Sequence, residues 1–317
     1  MGAGAHDTPD SALAAALAAA ATGCEPVAVR RFDTGLQHYV FEARFAGRAP
    51  VVVRIAAEHG RAAMIGGAQL SRMLRPLGVP LPQIISEKLA PPFPHLVMER
   101  LPGADLGTVV KTLPVQRLVA IATAVAQAQR ITAGAASGGR YGYGVAPTDA
   151  PHERWSEVLE DNVARSRTRI LAAGLFDPWP VDAVSELVTK ARGELDSQPP
   201  IAFLHDTTTK NVIVTPEGAF SGIVDVDDLC FGDPRYVVAL TLASLTAAGG
   251  PPDYADAWMK IANFRDDKLF RLYVALFLVD FMSEHGQTFN QNSPASGPEA
   301  RRSLLEVFKA NLRLATS

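Results

Sequence analysis

The hydrophobic pattern changes once along this chain, and that change limits the folds it can adopt. Before Pro102-Gly103 the apolar residues come in short runs, such as "HYVFEARF", "PVVVRIA", "PQIIS" and "HLVMERL". Short runs that alternate or are rich in β-branched residues predict strands. One stretch from Met64 to Leu77 has helical spacing instead and is stopped by Gly78. The order predicted for residues 27–102 is therefore β-β-β-α-β-β.

After that point the pattern becomes helical. Apolar residues recur at i, i+3, i+4 and i+7, as in Leu118, Ile121, Ala122 and Val125. The exception is "NVIVTPEGAFSGIVDVDD", which predicts two short strands joined by a Pro-Glu-Gly turn. We therefore predict an α+β chain with two lobes, a small β-rich N-lobe and a larger helical C-lobe. The predicted divisions are a helical N-terminal extension at 1–26, the N-lobe at 27–102 and the C-lobe at 103–317.

Two further segments of the C-lobe have a clear local character. The Gly- and Pro-rich "SGGRYGYGVAPTDAPHE" predicts a loop. Residues 153–198 predict helices that are interrupted near "GLFDPWP". In "FGDPRYVVALTLA", Asp233 and Pro234 suit the N-cap and first position of another helix, which gives them a structural role.

Composition excludes several classes of function. The net charge of -3 and the lack of a long basic run argue against nucleic acid as a partner. Cys24 and Cys230 lie far apart, so neither a disulfide framework nor a cysteine-clustered zinc site is expected. The longest strongly apolar run, Leu272 to Val279, is too short to span a bilayer. No Lys or Arg precedes the Ala-rich N-terminal run, which predicts a helix capped by Ser11 rather than a signal peptide. We expect a cytoplasmic protein with no membrane partner.

Polar residues flank both ends of the predicted hairpin. "HDTTTKN" at 205–211 precedes it and "DVDD" at 225–228 ends it. The His205-Asp206 pair is compatible with a metal-dependent phosphohydrolase, in which His and Asp ligate a metal from helices. That chemistry needs further histidines at matching helical spacing, whereas the other six here are scattered over different elements. The phosphohydrolase interpretation is therefore disfavoured.

The order of these segments resembles that of the aminoglycoside phosphotransferases and the related choline and small-molecule kinases, which share the protein-kinase-like fold. The resemblance runs from about residue 27 to about residue 240. It implies an ATP-dependent kinase that uses Mg²⁺ and transfers the γ-phosphoryl group to a hydroxyl of a small molecule.

The resemblance assigns nucleotide-binding roles in the N-lobe. "DTGLQHYVFEA" resembles the turn that covers the phosphates, with Gly35 as its glycine. Arg54 stands where protein kinases have a strand lysine, and a guanidinium can bind phosphate oxygens bidentately. In "HLVMERLPGADL", the main chain of Glu99 and Leu101 is expected to bind adenine at the hinge between the lobes.

The resemblance assigns the chemistry to the C-lobe. Asp206, five residues before Asn211, corresponds to the carboxylate that orients the acceptor hydroxyl and takes its proton. Asn211 and Asp225 correspond to the ligands of Mg²⁺. Three further residues are candidates for contacting the acceptor or for supporting these groups, with a solvated role left open for each: Lys210, Asp227 and Asp228. Asp227 is also a candidate ligand of a second metal ion.

The chain departs from the family pattern at three places. Thr208 stands where relatives often have a basic residue near the transferring phosphate, which leaves either Lys210 reaching the γ-phosphate or Lys210 as a solvated loop lysine. Leu204 replaces the histidine that usually supports the catalytic loop. The N-lobe helix "MIGGAQLSRML" lacks the acidic residue that usually pairs with the strand cation, which leaves Gln69 as the candidate for orienting Arg54. A weak or inactive nucleotide- or small-molecule-binding protein on the same scaffold therefore stays open as the alternative. A protein substrate is disfavoured, because Asp233-Pro234 follows Asp225 too closely for an activation segment.

The acceptor's identity is not fixed by the sequence. We expect its site near Asp227, Asp228, Asp280 and Glu284, whose acidic character suits a cationic acceptor. Aminoglycoside-like, sugar-like and amino-alcohol acceptors all fit, and neither the preference between ATP and GTP nor the oligomeric state is predicted.

Overall fold

A computed structural model of the chain describes residues 8–32, 38–287 and 296–317. Within these ranges the chain forms a small antiparallel sheet lobe followed by a larger helical lobe, which confirms the predicted α+β class and two-lobed architecture.

The N-lobe is a five-stranded antiparallel sheet with strand order β1-β2-β3-β5-β4. The order β-β-β-α-β-β is confirmed. Helix α2 ends at Leu74, and a short 3-10 turn, Arg75–Leu77, continues its apolar pattern to Gly78. The bounds are β1 Ala28–Arg31, β2 Tyr39–Phe45, β3 Arg48–Ile55, α2 Arg61–Leu74, β4 Ile84–Lys88 and β5 His95–Glu99.

A helix precedes this sheet. Helix α1 spans Ser11–Thr22 and buries Ala14 and Ala18 against the strands. Its N-cap is Asp10, whose carboxylate accepts a hydrogen bond of 2.8 Å from Leu13 N. The prediction of Ser11 as the cap was wrong by one residue. Aspartate caps helices as well as serine does, and Asp10 is placed to accept from the N–H of the third helical residue, Leu13.

The C-lobe is built mainly from helices that pack around one apolar core. The apolar run at 272–279 lies inside α8 and is buried in that core. In the described ranges, no helix is both long and apolar enough to cross a membrane. The helices are α3 Val115–Ala135, α4 Trp155–Ala173, α5 Trp179–Leu195, α6 Arg235–Ala247, α7 Asp253–Ile261, α8 Lys268–Glu284 and α9 Pro298–Thr316.

Two small sheets cross the C-lobe beside the N-lobe. One has the order β10-β9-β6 and contains the predicted hairpin, and the other has the order β7-β11-β8. The loop prediction for residues 137–153 was wrong at Gly142–Gly144, which forms β7. Glycine is disfavoured in strands, and two of these three residues are glycine, so the sequence did not indicate a strand. The segment becomes a strand because it pairs with β11, which is distant in sequence. The bounds are β6 Ala104–Asp105, β7 Gly142–Gly144, β8 Ile201–Phe203, β9 Val212–Val214, β10 Phe220–Ile223 and β11 Leu229–Gly232.

This topology places the two polar segments side by side. Residues 204–211 connect β8 to β9, and residues 224–228 connect β10 to β11, so both run between the same two sheets. A backbone hydrogen bond of 2.9 Å from Val224 N to Asn211 O joins them directly.

The chain passes from the N-lobe to the C-lobe just before β6. Gly103 has a φ of 104°, and a Cβ on it would lie 1.9 Å from the carbonyl oxygen of Val214, so glycine is needed there. Strand β6 pairs with β9 and therefore belongs to the C-lobe. We accordingly keep the proposed boundary between the lobes at residues 102 and 103, just before β6.

Candidate active site

The loop that carries Asp206 is held by its own hydrogen bonds. The Thr208 hydroxyl donates to Asp206 Oδ1 at 3.0 Å, and Asn211 Nδ2 donates to the Asp206 carbonyl at 2.9 Å. The Asp206–Asn211 spacing therefore closes a compact turn. Within the described residues, no hydrogen bond engages Asp206 Oδ2 or Asn211 Oδ1.

Gln129 of α3 clamps this loop from the C-lobe core, and the sequence analysis missed it. Its Nε2 donates to the Leu204 carbonyl and to Thr207 Oγ1, and its Oε1 accepts from Leu204 N, each at 2.9 Å. Leu204 is itself buried. The support that relatives take from a loop histidine thus comes here from a buried glutamine. A polar residue on the apolar face of a predicted helix was the one available signal.

Asp225 follows β10 in an uncommon backbone conformation. Its φ of 62° lies in the left-handed region, which aspartate tolerates better than most residues. Non-glycine residues in such strained conformations cluster at functional sites. The Asp225 side chain is 55% exposed, and its Oδ1 accepts a 2.6 Å hydrogen bond from Arg54 Nη2. No residue in the described ranges hydrogen-bonds to the second carboxylate oxygen.

The residues around Asp225 fit a bound Mg²⁺. Mg²⁺ prefers oxygen ligands and usually takes one or two protein groups, completing its octahedron with water and substrate phosphates. The second carboxylate oxygen of Asp225 and the carboxamide oxygen of Asn211 supply that donor set. In the part of the chain that the structure describes, no cluster of three or more His, Cys, Asp or Glu side chains forms a cation cage. A magnesium ion held largely by phosphates does not require one.

Arg54 reaches from β3 into the polar end of the hairpin. It is 6% exposed, and three hydrogen bonds of 2.6 Å join its guanidinium to Asp225 and Asp227. Burial by itself would lower the pKa of Arg54, but the two carboxylates raise it above its ordinary value. Arg54 is therefore a fixed cation beside the proposed metal ligands.

Asp227 is the main partner of Arg54, and His38 is a second partner of Asp227. His38 Nε2 lies 3.1 Å from Asp227 Oδ2, and His38 is 3% exposed. Burial alone would raise the pKa of Asp227, but Arg54 and His38 lower it to about 2. Gln69 is exposed and has no contact with Arg54 among the described hydrogen bonds, so the expectation that Gln69 orients Arg54 was wrong. No local sequence pattern could link Arg54 to Asp227, because the two lie 173 residues apart in the chain.

His205 and Asp228 form an ion pair beside the catalytic loop. His205 Nδ1 lies 3.0 Å from Asp228 Oδ1, and the imidazole packs edge-on against Tyr143 with ring centroids 5.0 Å apart. Burial would lower the pKa of His205, but Asp228 and Asp206 raise it to about 9. The raised pKa favours the protonated imidazole, which pairs with Asp228.

The two main-chain groups predicted at the hinge, Glu99 and Leu101, differ in their hydrogen bonds. Glu99 N already donates to the Gln83 carbonyl at 2.8 Å. The Leu101 backbone N–H has no hydrogen-bond partner within the part of the chain that the structure describes. Arg100, which the sequence analysis did not single out, locks the hinge by donating to the carbonyls of Leu101 and Gly103 and to Glu42.

The region in which the sequence predicts the acceptor has mixed charge rather than purely acidic character. Arg165 of α4 donates to Asp280 of α8 at 3.0 Å. Burial raises the pKa of Glu284 to about 7 and Asp280 adds to this, against opposing contributions from Lys210 and Arg165. Lys210 is exposed and close enough to act on Glu284. The acidic residues named from the sequence are therefore accompanied by cations.

Not every predicted site residue can be placed. Gly35 lies outside the described residues.

A cavity of about 530 Å³ is found at the back of the N-lobe, between the end of α2 and β4, and none of the predicted site residues lines it. The residues that the structure brings together are Arg54, Asp206, Asn211, Asp225, Asp227 and Asp228.

Comparison with known proteins shows the family of this chain. The family described as "Phosphotransferase enzyme family" matches residues 28–267, which is more than half of the chain. The chain therefore belongs to that family. A search of curated protein sequences finds no significant match.

Solved structures match over nearly the whole chain. A thermostable mutant of aminoglycoside phosphotransferase APH(4)-Ia, in ternary complex with ADP and hygromycin B, has a TM-score of 0.66 and 15% identity, covering 96% of this chain and 99% of that one. The GDP complex of an aminoglycoside 2'-phosphotransferase-IIIa mutant has a TM-score of 0.65 and 14% identity, covering 95% and 97%. A proposed fructosamine-3-kinase from Thermobifida fusca YX-ER1 has 0.61 and 20%, covering 94% and 98%. These likenesses confirm the kinase-like fold.

Proposed function

We propose that this protein is a small-molecule kinase that transfers the γ-phosphoryl group of ATP to a hydroxyl. The observation that carries the proposal is the meeting of three elements at one end of the hairpin. The Asp206–Asn211 loop is joined to the strand that leads to Asp225 by a 2.9 Å backbone bond, and Arg54 reaches Asp225 from the N-lobe at 2.6 Å. A base, metal ligands and a phosphate-binding cation are the groups that phosphoryl transfer requires.

The N-lobe and the hinge are proposed to hold the nucleotide. Leu101 N–H has no partner among the described residues and can donate to adenine, while the carbonyl of Glu99 lies at the same end of β5. Arg54 binds phosphate oxygens with its fixed guanidinium, and Gly35 is proposed to allow close approach of the covering turn. The nucleotides in the complexes of structural neighbours support this assignment. The need for ATP also fits the cytoplasmic location predicted from the sequence.

Asn211 and Asp225 are proposed to hold Mg²⁺. When bound, the ion would neutralise charge on the phosphates during transfer. Asp225 serves this role through the oxygen that Arg54 does not engage, and Asn211 serves it through the oxygen that its hydrogen bond to the Asp206 carbonyl leaves free.

Asp206 is proposed to act on the acceptor. Thr208 holds Oδ1, so Oδ2 is the atom that accepts the hydroxyl proton as the oxygen attacks phosphorus. Gln129 hydrogen-bonds to the backbone of Leu204 from the C-lobe core, which keeps the Asp206 carboxylate in one orientation. Most of the rate enhancement then comes from positioning the two reactants and neutralising charge, as expected for phosphoryl transfer.

The acceptor is proposed to lie between Lys210 and the end of α8. The complex of a neighbour with hygromycin B supports an aminoglycoside-like acceptor, and sugar-like and amino-alcohol acceptors also fit. Asp280 is already paired with Arg165, which leaves Glu284 as the carboxylate best placed to meet an acceptor cation.

The pH dependence of acceptor binding tests that role of Glu284. Because burial raises the pKa of Glu284 to about 7, the carboxyl gains charge as pH rises through neutrality. The KM for a cationic acceptor should therefore fall between about pH 6 and pH 8. Glu284→Gln should have a flat profile, and an equal fall in this variant would remove Glu284 from the acceptor site.

The proposed reaction is tested by an ATP-consumption screen over hydroxylated antibiotics, sugars and amino alcohols, with phosphorylated products identified by mass spectrometry. An acceptor-dependent product supports the kinase. Binding of Mg-ATP by calorimetry without product for any acceptor supports the binding-protein alternative. Failure to bind nucleotide at all would contradict both.

A further inference from the structure

The cation of the N-lobe is held by a carboxylate of the C-lobe. Arg54 lies on β3, and its partner Asp227 lies 173 residues later, after β10. We propose that Asp227, itself held by His38, is the positioning residue that orients Arg54 for nucleotide phosphates. This role rests on the proposed function.

The geometry of the pair fixes the orientation of the guanidinium. Arg54 Nη1 donates to Asp227 Oδ1 and Arg54 Nη2 donates to Asp227 Oδ2, both at 2.6 Å. Two parallel bonds of this kind set the plane of the guanidinium as well as its position. Arg54 is 6% exposed, so a guanidinium left without this partner would be a buried charge held only by its single hydrogen bond to Asp225.

Helix α2 is shaped to admit Asp227. A Cβ on Gly66 would lie 2.3 Å from the Asp227 carbonyl oxygen, and a Cβ on Gly67 would lie 2.8 Å from Asp227 Oδ1 and 3.7 Å from Arg54 Nη1. Both glycines are inside the helix, where glycine is less favourable than alanine by about 1 kcal/mol. The carboxylate of Asp227 thus occupies the space that a helix side chain would need in order to reach Arg54. The helix contains no acidic residue that could do so.

His38, which directly precedes β2 in the N-lobe, is the second side chain that holds Asp227. Its Nε2 lies 3.1 Å from Asp227 Oδ2, and Gly60 leaves room for its ring, since a Cβ there would lie 3.3 Å from His38 Cε1. Both oxygens of Asp227 are therefore engaged by N-lobe side chains. This separates Asp227 from Asp225, whose side chain is 55% exposed, and argues against Asp227 as an acceptor contact or a second metal ligand.

The arrangement couples the cation to the position of the lobes. When an acidic helix residue holds the strand cation, both partners belong to one lobe. Here the guanidinium is fixed only when the 225–228 segment of the C-lobe lies against α2. Nucleotide binding through Arg54 should therefore depend on Asp227 even without a metal ion.

The first test compares Asp227→Asn with wild type by calorimetric titration of ADP in the presence of EDTA. Loss of one charged hydrogen-bonding partner should raise the Kd for ADP by about 10-fold to 100-fold. With Mg-ATP and an acceptor, kcat/KM should fall by about 100-fold, the scale of a misplaced binding group, while the acceptor KM stays near its wild-type value.

Asp267→Asn is the matched control for that substitution. Asp267 also pairs with a largely buried arginine, Arg235, at 2.9 Å, but it caps α8 in the C-lobe. Its ADP affinity should equal that of wild type even if its Tm falls. A fall in stability is thereby separated from a loss of positioning.

The second test uses two glycines in helices. Gly67→Ala places a methyl group 2.8 Å from Asp227 Oδ1, so it should displace Asp227 and weaken ADP binding by about 10-fold. Gly193→Ala in α5 is the control, because a Cβ there meets nothing within 4 Å. It should raise Tm and leave nucleotide affinity unchanged. Both variants gain helix propensity, so a difference between them reports on Asp227.

Three outcomes would overturn the proposal. Wild-type ADP affinity in EDTA for Asp227→Asn, combined with a higher requirement for Mg²⁺, would make Asp227 a metal ligand. A raised acceptor KM with unchanged nucleotide affinity would place it in the acceptor site. Equal ADP affinity in Gly67→Ala and Gly193→Ala would show that the helix does not hold it. If wild type binds ADP but transfers no phosphoryl group, the proposed function fails and the binding comparison still decides the role of Asp227.

Discussion

The two ends of the β9–β10 hairpin carry similar residues but are held in different ways. The loop before β9 is fixed within the C-lobe, by Thr208 and Asn211 of the loop itself and by Gln129. The segment after β10 is fixed largely from the N-lobe, by Arg54 and His38. The difference suggests a division of work. The side-chain contacts that hold the first end lie within the C-lobe, whereas those of the second end include contacts from both lobes.

The largest effect should come from the first end. Asp206→Asn keeps the size and the hydrogen bond to Thr208 but removes the base, so kcat should fall by about 10²-fold to 10⁴-fold. The measurement is steady-state phosphoryl transfer with the acceptor found in the screen. Near-wild-type turnover would show that Asp206 does not accept the hydroxyl proton.

The support of that loop gives the next effect. Gln129→Ala removes three buried hydrogen bonds and leaves the backbone of Leu204 unpaired, at about 1–3 kcal/mol for each buried group. The free energy of unfolding, measured by urea denaturation, should fall by about 3 kcal/mol. Gln127→Ala, at an exposed position of the same helix, is the control. Equal stability of the two variants would mean that the loop is held by its own turn.

The smallest effect concerns the pair between His205 and Asp228. Burial lowers the pKa of His205, but Asp228 and Asp206 raise it to about 9 from 6.5. A raised pKa stabilises the fold fully below pH 6.5, and that contribution is lost as pH rises through about 9. The stability difference between wild type and His205→Gln should therefore shrink across this range. His59→Gln, on an exposed turn, controls for removing a histidine. A difference that does not change with pH would show that His205 is neutral in the fold.

The same contrast explains how much the sequence could predict. The α+β class followed from local periodicity, and the Asp206–Asn211 loop followed from the resemblance of its spacing to the family's catalytic loop. Both could be predicted because the contacts that make them are local or follow strand order. The partner of Arg54 could not be found in this way, since Asp227 and His38 meet it only through the packing of the lobes. The sequence showed that α2 has no acidic residue. It did not show why Gly66 and Gly67 stand there, because the reason is the close approach of Asp227 to the helix. Strand β7 was missed because its glycines carry no strand propensity.

The central claim is that Asp206 and Asp225, at the two ends of the hairpin, do separate jobs, one on the acceptor and one on the nucleotide. Calorimetric titration of Mg-ATP into wild type, Asp206→Asn and Asp225→Asn tests it most directly. Asparagine is chosen at position 225 because it tolerates the φ of 62°. We predict unchanged affinity for Asp206→Asn and a loss of at least about 10-fold for Asp225→Asn, as expected from a weakened metal ligand. Equal affinity in both variants, or a loss confined to Asp206→Asn, would contradict the account.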